Sequence, residues 1–206
     1  FEKLLDGHGF EFTTYAVVDN QFPADIHEQD GYVVSGSKHG IYEDWPFIPP
    51  LLDFIRQLAA ANIPTVGICF GHQAIAKAMG ARVEKYEGGW NVGVKHYNIE
   101  GFDATVPVSA WHQDQVLSVP DDAEIIASTE HCAIAGLRYQ KATMLSLQPH
   151  PEFDEPYLAA LGQYRADTLD DATREALLAN IATETPNHQL GNTIAQFFKE
   201  HQETHA

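Results

Sequence analysis

Two short segments of the chain hold residue types that can do covalent chemistry together. The first is Gly67-Ile68-Cys69-Phe70-Gly71, which closes an apolar run and opens a helical pattern. That is the layout of a nucleophile elbow with cysteine in the serine position. The strand-to-helix turn holds its nucleophile in a strained conformation, and a side chain two residues away on either side would strike the crossing backbone. Cys69 would also sit at a helix N-terminus, where the positive end of the helix dipole favours thiolate over thiol. A cysteine in an apolar run has another reading, as a small buried hydrophobe. The flanking glycines favour the elbow.

The second segment is Gln148-Pro149-His150-Pro151-Glu152. A nucleophilic thiol needs a base to manage its proton, and the base needs an orienting carboxylate. His150 precedes a proline and is pushed toward extended backbone, so side chains 150 and 152 project from one side at a Cα separation of roughly 6.6 Å. Two long side chains close that gap. Alone, the triplet reads equally as a turn carrying a solvated acid. Beside the elbow it reads as proton shuttle and orienting acid.

Both segments follow apolar strands, and the pattern around them predicts how they are held. Apolar runs at 12–18, 31–34 and 64–68 each end in loop residues, and helical patterns run from Leu51 to Leu58 and over 71–79. Alternating strand and helix signals are the mark of βαβ units, which puts Cys69 at a strand's carboxyl end, where open α/β sheets place their chemistry. After Gly80, runs at 81–86, 90–99, 105–111, 124–128, 132–139 and 143–147 succeed one another with little helix, as antiparallel strands do. Helix returns over 155–164 and 170–181, with an amphipathic piece near Ile194, Phe197 and Phe198. The expected fold is a single α/β domain over 1–206: a doubly wound, mostly parallel central sheet with flanking helices and a β-rich antiparallel edge.

Composition narrows the function classes. Hydrophobic residues make up 44% and charged residues 20%, as in an ordinary globular protein. With 12 Lys+Arg against 29 Asp+Glu the formal charge is −17, which repels phosphate backbones and anionic lipid, so neither nucleic acid nor membrane is expected as a partner. The two cysteines, Cys69 and Cys132, form no CxxC pair, which argues against a disulfide scaffold and fits a reducing cytoplasm. Cys132, beside Ala133-Ile134-Ala135, reads as a half-buried strand residue. The 11 histidines show no HExxH or His-x-His spacing, so no metal site is expected. His8, His27, His39, His96, His131, His188, His201 and His205 read as surface residues, and Tyr86, Trp90 and Tyr97 either as the lining of a substrate mouth or, the reading favoured, as packing for a hairpin.

Together the two segments resemble the class I glutamine amidotransferases, whose Cys-His-Glu triad lies on a Gly-x-Cys-x-Gly-x-Gln elbow and a His-Pro-Glu segment. The likeness runs from about Asp30 to Phe153 and is nearest to freestanding proteins related to the amidotransferase half of GMP synthase. It implies that Gln73 contacts the bound glutamyl group and that the loop around Gly36 and Ser37 supplies an oxyanion-hole amide, with Ser-Gly here in place of the usual Gly-Gly. Trp111-His112-Gln113-Asp114 resembles the family's Ser-His-x-Asp loop, whose backbone helps hold the substrate's α-amino and α-carboxylate groups, so His112 and Gln113 are expected beside the substrate, with Trp replacing Ser. It also implies a first strand inside the sheet that would precede Phe1.

The expected activity is hydrolysis or transfer of a γ-glutamyl amide through a thioester on Cys69, with His150 as shuttle and Glu152 orienting it. The amides of Phe70 and of the Gly36–Ser37 loop would hold the oxyanion, and no cofactor is required. The substrate would be a small γ-glutamyl compound. Two alternatives are a glutaminase subunit feeding ammonia to a synthase partner and a catalytically silent regulatory module.

Overall fold

The computed structural model of the chain describes residues 1–202, so His205 and the end of the expected 1–206 domain lie outside it. The chain runs β1 (Tyr32–Val34), α1 (Ile48–Ala60), β2 (Thr65–Ile68), α2 (Phe70–Ala78), β3 (Val83–Lys85), β4 (Asn91–Ile99) and β5 (Val106–His112). It continues through β6 (Asp114–Val116), β7 (Ala123–Ser128), β8 (Gly136–Tyr139), β9 (Met144–Leu147), α3 (Glu155–Tyr164), α4 (Asp171–Asn180) and α5 (Asn187–Gln202). Seven strands form one sheet in the order β1-β2-β9-β8-β7-β4-β5, and β3 pairs with β6 separately. The trio β1, β2 and β9 is parallel, and every pairing from β9 to β5 is antiparallel. The fold is mixed α/β, with helices on both faces.

Side-chain alternation assigns those faces. On β2, Val66 and Ile68 join Leu145 and Leu147 of β9 in a core with Leu190, Ile194 and Phe198 of α5. Met144 and Leu137 point the other way, into a core with Leu51, Ile55 and Leu58 of α1 and Ala74 and Ile75 of α2. Pro49 and Pro50 open α1, where the missing amide protons have no intrahelical acceptor to lose. Val92 and Val94 of β4 pack with Leu158 of α3 and Leu177 of α4 in a third cluster.

Two expectations fail. Residues 12–18 form loop and a 3-10 turn at Val17–Asp19 instead of a strand. An isolated strand is not stable, and β1 pairs with β2 alone among the described strands. The segment 132–139 is strand only from Gly136; before it, Thr129 and Cys132 exchange backbone hydrogen bonds across a tight turn that leaves Cys132 fully buried.

Candidate active site

The elbow forms as its glycines predict. Cys69 has φ 54° and ψ −103°, a positive φ that a side-chain-bearing residue adopts only under constraint. The constraint comes from both ends. Its N–H donates to Leu147 O on β9 at 2.8 Å, and its C=O accepts the first α2 bond from Gln73 N at 3.1 Å. A Cβ on Gly67 would lie 2.5 Å from Gly71 O, and one on Gly71 would lie 1.9 Å from Val34 O. Only bare backbone lets the helix start so close to β1 and β2.

His150 comes to the same point from β9, where Gln148-Pro149 carries the chain past the strand end. Its N–H donates to Ser109 O of β5 at 2.7 Å, an isolated bridge that ties the antiparallel half of the sheet to the parallel half. The ring is 2.7 Å from Glu152 through Nδ1, and it shares the approach of Gly36 with the Cys69 side chain, close enough for the thiol and the ring to interact electrostatically. The second carboxylate oxygen of Glu152 is buried without a hydrogen-bond partner, so the carboxylate's charge has His150 as its main recipient. Burial opposes a charge on His150, but the Cys69 and Glu152 groups outweigh it and hold the ring's pKa up at about 10. Such an arrangement can keep a thiolate and an imidazolium side by side.

Gly36 lies directly against this pair: a Cβ there would stand 2.9 Å from His150 Cε1 and 3.8 Å from Cys69 Cβ. The loop after β1 therefore meets Cys69 and His150 at a residue with no side chain to block them. The Ser37 hydroxyl turns back into its own loop to accept from His39 N at 3.2 Å. Phe70 is the first residue of α2, where a helix leaves its N–H groups free of intrahelical acceptors.

The remaining expected site residues have side chains bound to neighbouring protein groups. Gln73 is buried, and its amide group donates to Asp114 O at 2.9 Å and Gln148 Oε1 at 3.1 Å, leaving both protons committed inside the protein. His112 is buried too, 3.0 Å from Asn91 Nδ2 through Nε2 and 3.2 Å from Asp114 O through Nδ1. Burial pushes its pKa down to about 3, so it is a neutral strut. Gln113 donates to Tyr86 O at 3.3 Å. What this strand end brings to the site is main chain: Trp111 O lies 3.9 Å from Cys69 Sγ. Of the supposed surface histidines, His27, His96 and His188 are exposed, whereas His8, His39, His131 and His201 are half-buried.

Sequence reasoning missed Ser109 and Phe153. The Phe153 ring stacks flat on His150, with centroids 3.9 Å apart and planes 8° from parallel. Its three-residue spacing from His150 across the Pro151 turn was a local signal for this; no local signal pointed to Ser109, which meets His150 only through the fold. A cavity of about 820 Å³ contains none of these residues. It lies alongside α5 and is lined by Ile99, Phe102, Arg138, Leu145 and Phe197. The reactive groups instead cluster at the carboxyl ends of β2 and β9.

A family model for class-I glutamine amidotransferases matches residues 5–156. The chain belongs to this family. Among its relatives, γ-glutamyl peptidase 4 of Arabidopsis thaliana is 32% identical over 172 residues, covering 77% of this chain and 68% of the relative. A GMP synthase (glutamine-hydrolysing) of Chlamydia caviae is 32% identical over 134 residues, 61% of this chain and 25% of that protein. A crystal structure of a glutamine amidotransferase from Thermotoga maritima superimposes with a TM-score of 0.80 at 21% identity, covering 98% of this chain and 90% of the other. This amidotransferase chain thus has the fold of its solved relatives. No helix among its described residues is long and apolar enough to cross a membrane.

Proposed function

We propose that the chain is a cysteine-dependent hydrolase of γ-glutamyl amide bonds that works through a thioester on Cys69. The observation that carries this reading is the convergence of Cys69 and His150 beside Gly36 at the strand ends, with Glu152 bound to the far side of the ring. In the first half-reaction the Cys69 sulfur attacks the γ-carbonyl carbon, and the resulting oxyanion takes hydrogen bonds from Phe70 N–H and from an amide of the Gly36–Ser37 loop. The C–N bond then breaks while His150 gives its proton to the departing amine, leaving a glutamyl thioester. Water, deprotonated by His150, attacks that thioester, glutamate leaves, and the sulfur regains its starting state. Glu152 holds the ring tautomer and stabilises the imidazolium in both halves.

Gln73, His112 and Gln113 act in this scheme by fixing the walls of the site. Each side chain is bound to a neighbouring protein group, and the substrate's α-amino and α-carboxylate groups meet main chain near Trp111. Water is the acceptor we favour over a synthase-bound nucleophile, because the likeness to a γ-glutamyl peptidase spans 77% of the chain and that to a GMP synthase 61%. A glutaminase that delivers ammonia to a partner protein is the second reading, and the GMP synthase likeness supports it. Incubating the protein alone with glutamine and with a set of γ-glutamyl dipeptides separates the two. Glutamate release from a dipeptide should exceed ammonia release from glutamine. Negligible turnover of both, restored only by another protein, would reverse the choice.

A further inference from the structure

A proton shuttle works only if its ring plane is fixed, and the Nδ1 contact to Glu152 by itself leaves the ring free to rock about it. Gly36 stands so close to the ring edge at Cε1 that no side chain fits between. The Phe153 ring covers a face of the imidazole, nearly parallel to it with centroids 3.9 Å apart. Phe153 is itself held by its own main chain: Phe153 O accepts from Ser109 Oγ at 3.2 Å and from Asn187 Nδ2, at the start of α5, at 3.0 Å. Ser109 is the residue whose carbonyl also takes the His150 N–H. One strand residue therefore grips both the histidine and the ring stacked on it.

We propose that Phe153 is a positioning residue for the proposed hydrolysis, clamped by Ser109 and Asn187 so that its ring sets the plane in which His150 meets the Cys69 sulfur. The inference rests on the thioester reading above. An aromatic face also attracts a cation, so the stack favours imidazolium over imidazole and with it the neighbouring thiolate. The titratable groups that face the ring are Cys69, Glu152 and His112. The stack continues to Tyr157 on α3, whose ring is 4.5 Å from that of Phe153.

The test uses two readouts in a Cys132→Ala background: the pH midpoint of Cys69 alkylation by iodoacetamide, and kcat and KM on a γ-glutamyl dipeptide. Phe153→Leu should raise the alkylation midpoint by about half a pH unit. It should also lower kcat about 10- to 100-fold with KM within about threefold, as expected when a catalytic group is misplaced by a fraction of an ångström. Phe153→Tyr, which keeps the ring, should restore both. Ser109→Ala and Asn187→Ala, which loosen the clamp while the Ser109 carbonyl stays on His150, should shift the midpoint in the same direction by less. A folded Phe153→Leu protein with the parental midpoint and kcat, a loss confined to KM, or an equal loss in Phe153→Tyr would overturn the proposal. Should Phe153→Leu not fold, unchanged midpoints in both clamp variants would overturn it instead. If the unmodified protein turns over no γ-glutamyl compound, the hydrolase reading falls while the alkylation midpoint still decides whether Phe153 positions His150.

Discussion

The two cysteines differ in what surrounds them more than in how deeply they are buried. Cys69 stands at a helix start beside His150, whereas Cys132 is enclosed by apolar side chains and its thiol pKa is pushed up to about 12 by burial. An electrophilic glutamine analogue should therefore label Cys69 alone, as peptide mapping of the modified protein will show. Cys69→Ala should abolish glutamyl turnover at a stability cost of about 1 kcal/mol, since the lost atom leaves little cavity. Cys132→Ala should keep activity. At the next position in the relay, His150→Ala should slow acylation by about 10²- to 10⁴-fold, because nothing else in reach can carry the proton. Glu152→Gln should cost less, an orienting partner being partly replaceable. Rapid-quench acylation rates measure both, and equal small losses would point to a thiol activated by the helix terminus without a relay.

At the scale of elements, a buried histidine does a second and unrelated job. His72 on α2 lies 2.8 Å from Ser146 Oγ on β9 and 3.1 Å from Ile134 O before β8, tying the helix to two pieces of sheet. Burial lowers its pKa from 6.5 to about 4, as it lowers that of His112 to about 3. Both rings accept a proton near pH 6.5 in the unfolded chain and resist it in the fold. Their contribution is therefore complete above pH 6.5 and is lost as the pH falls toward 4 and 3. Between pH 6.5 and 4 the pair should remove roughly 2 to 3 kcal/mol of stability per pH unit. Urea unfolding at a series of pH values should show this slope, and His72→Gln should roughly halve it. The elements themselves were unevenly legible. Gly67, Gly71 and Pro151 declare the elbow and the extended histidine because their stereochemistry is local. The three residues of β6 are too few for a periodic signal, and 12–18 shows that an apolar run makes a strand only where the fold sets it beside a partner. Ser109 and His150 are brought together by a bridge between distant segments, which no local pattern announces.

For the molecule as a whole, a formal charge of −17 on 206 residues means that the compact state repels itself. Described ion pairs such as Lys3–Asp154 and Arg138–Glu100 are largely exposed and offset little of this. Raising NaCl from about 10 to 300 mM, across which the Debye length falls from roughly 30 to under 10 Å, should raise Tm by a few degrees in thermal scans. A flat response would mean that the acids are compensated locally. The register of the sheet has a consequence in time. Ile68 pairs with Leu147, and the Cys69 amide bonds to that same residue, so elbow and histidine meet only when a loop of about eighty residues has closed. Nearly all of the antiparallel half of the sheet lies inside that loop. A chain leaving the ribosome thus exposes its nucleophile long before its base exists, and during refolding enhanced thiol reactivity should lag behind helix formation. Reactivity is in this sense a certificate of completed folding: a truncated or stalled chain carries the cysteine as an ordinary thiol.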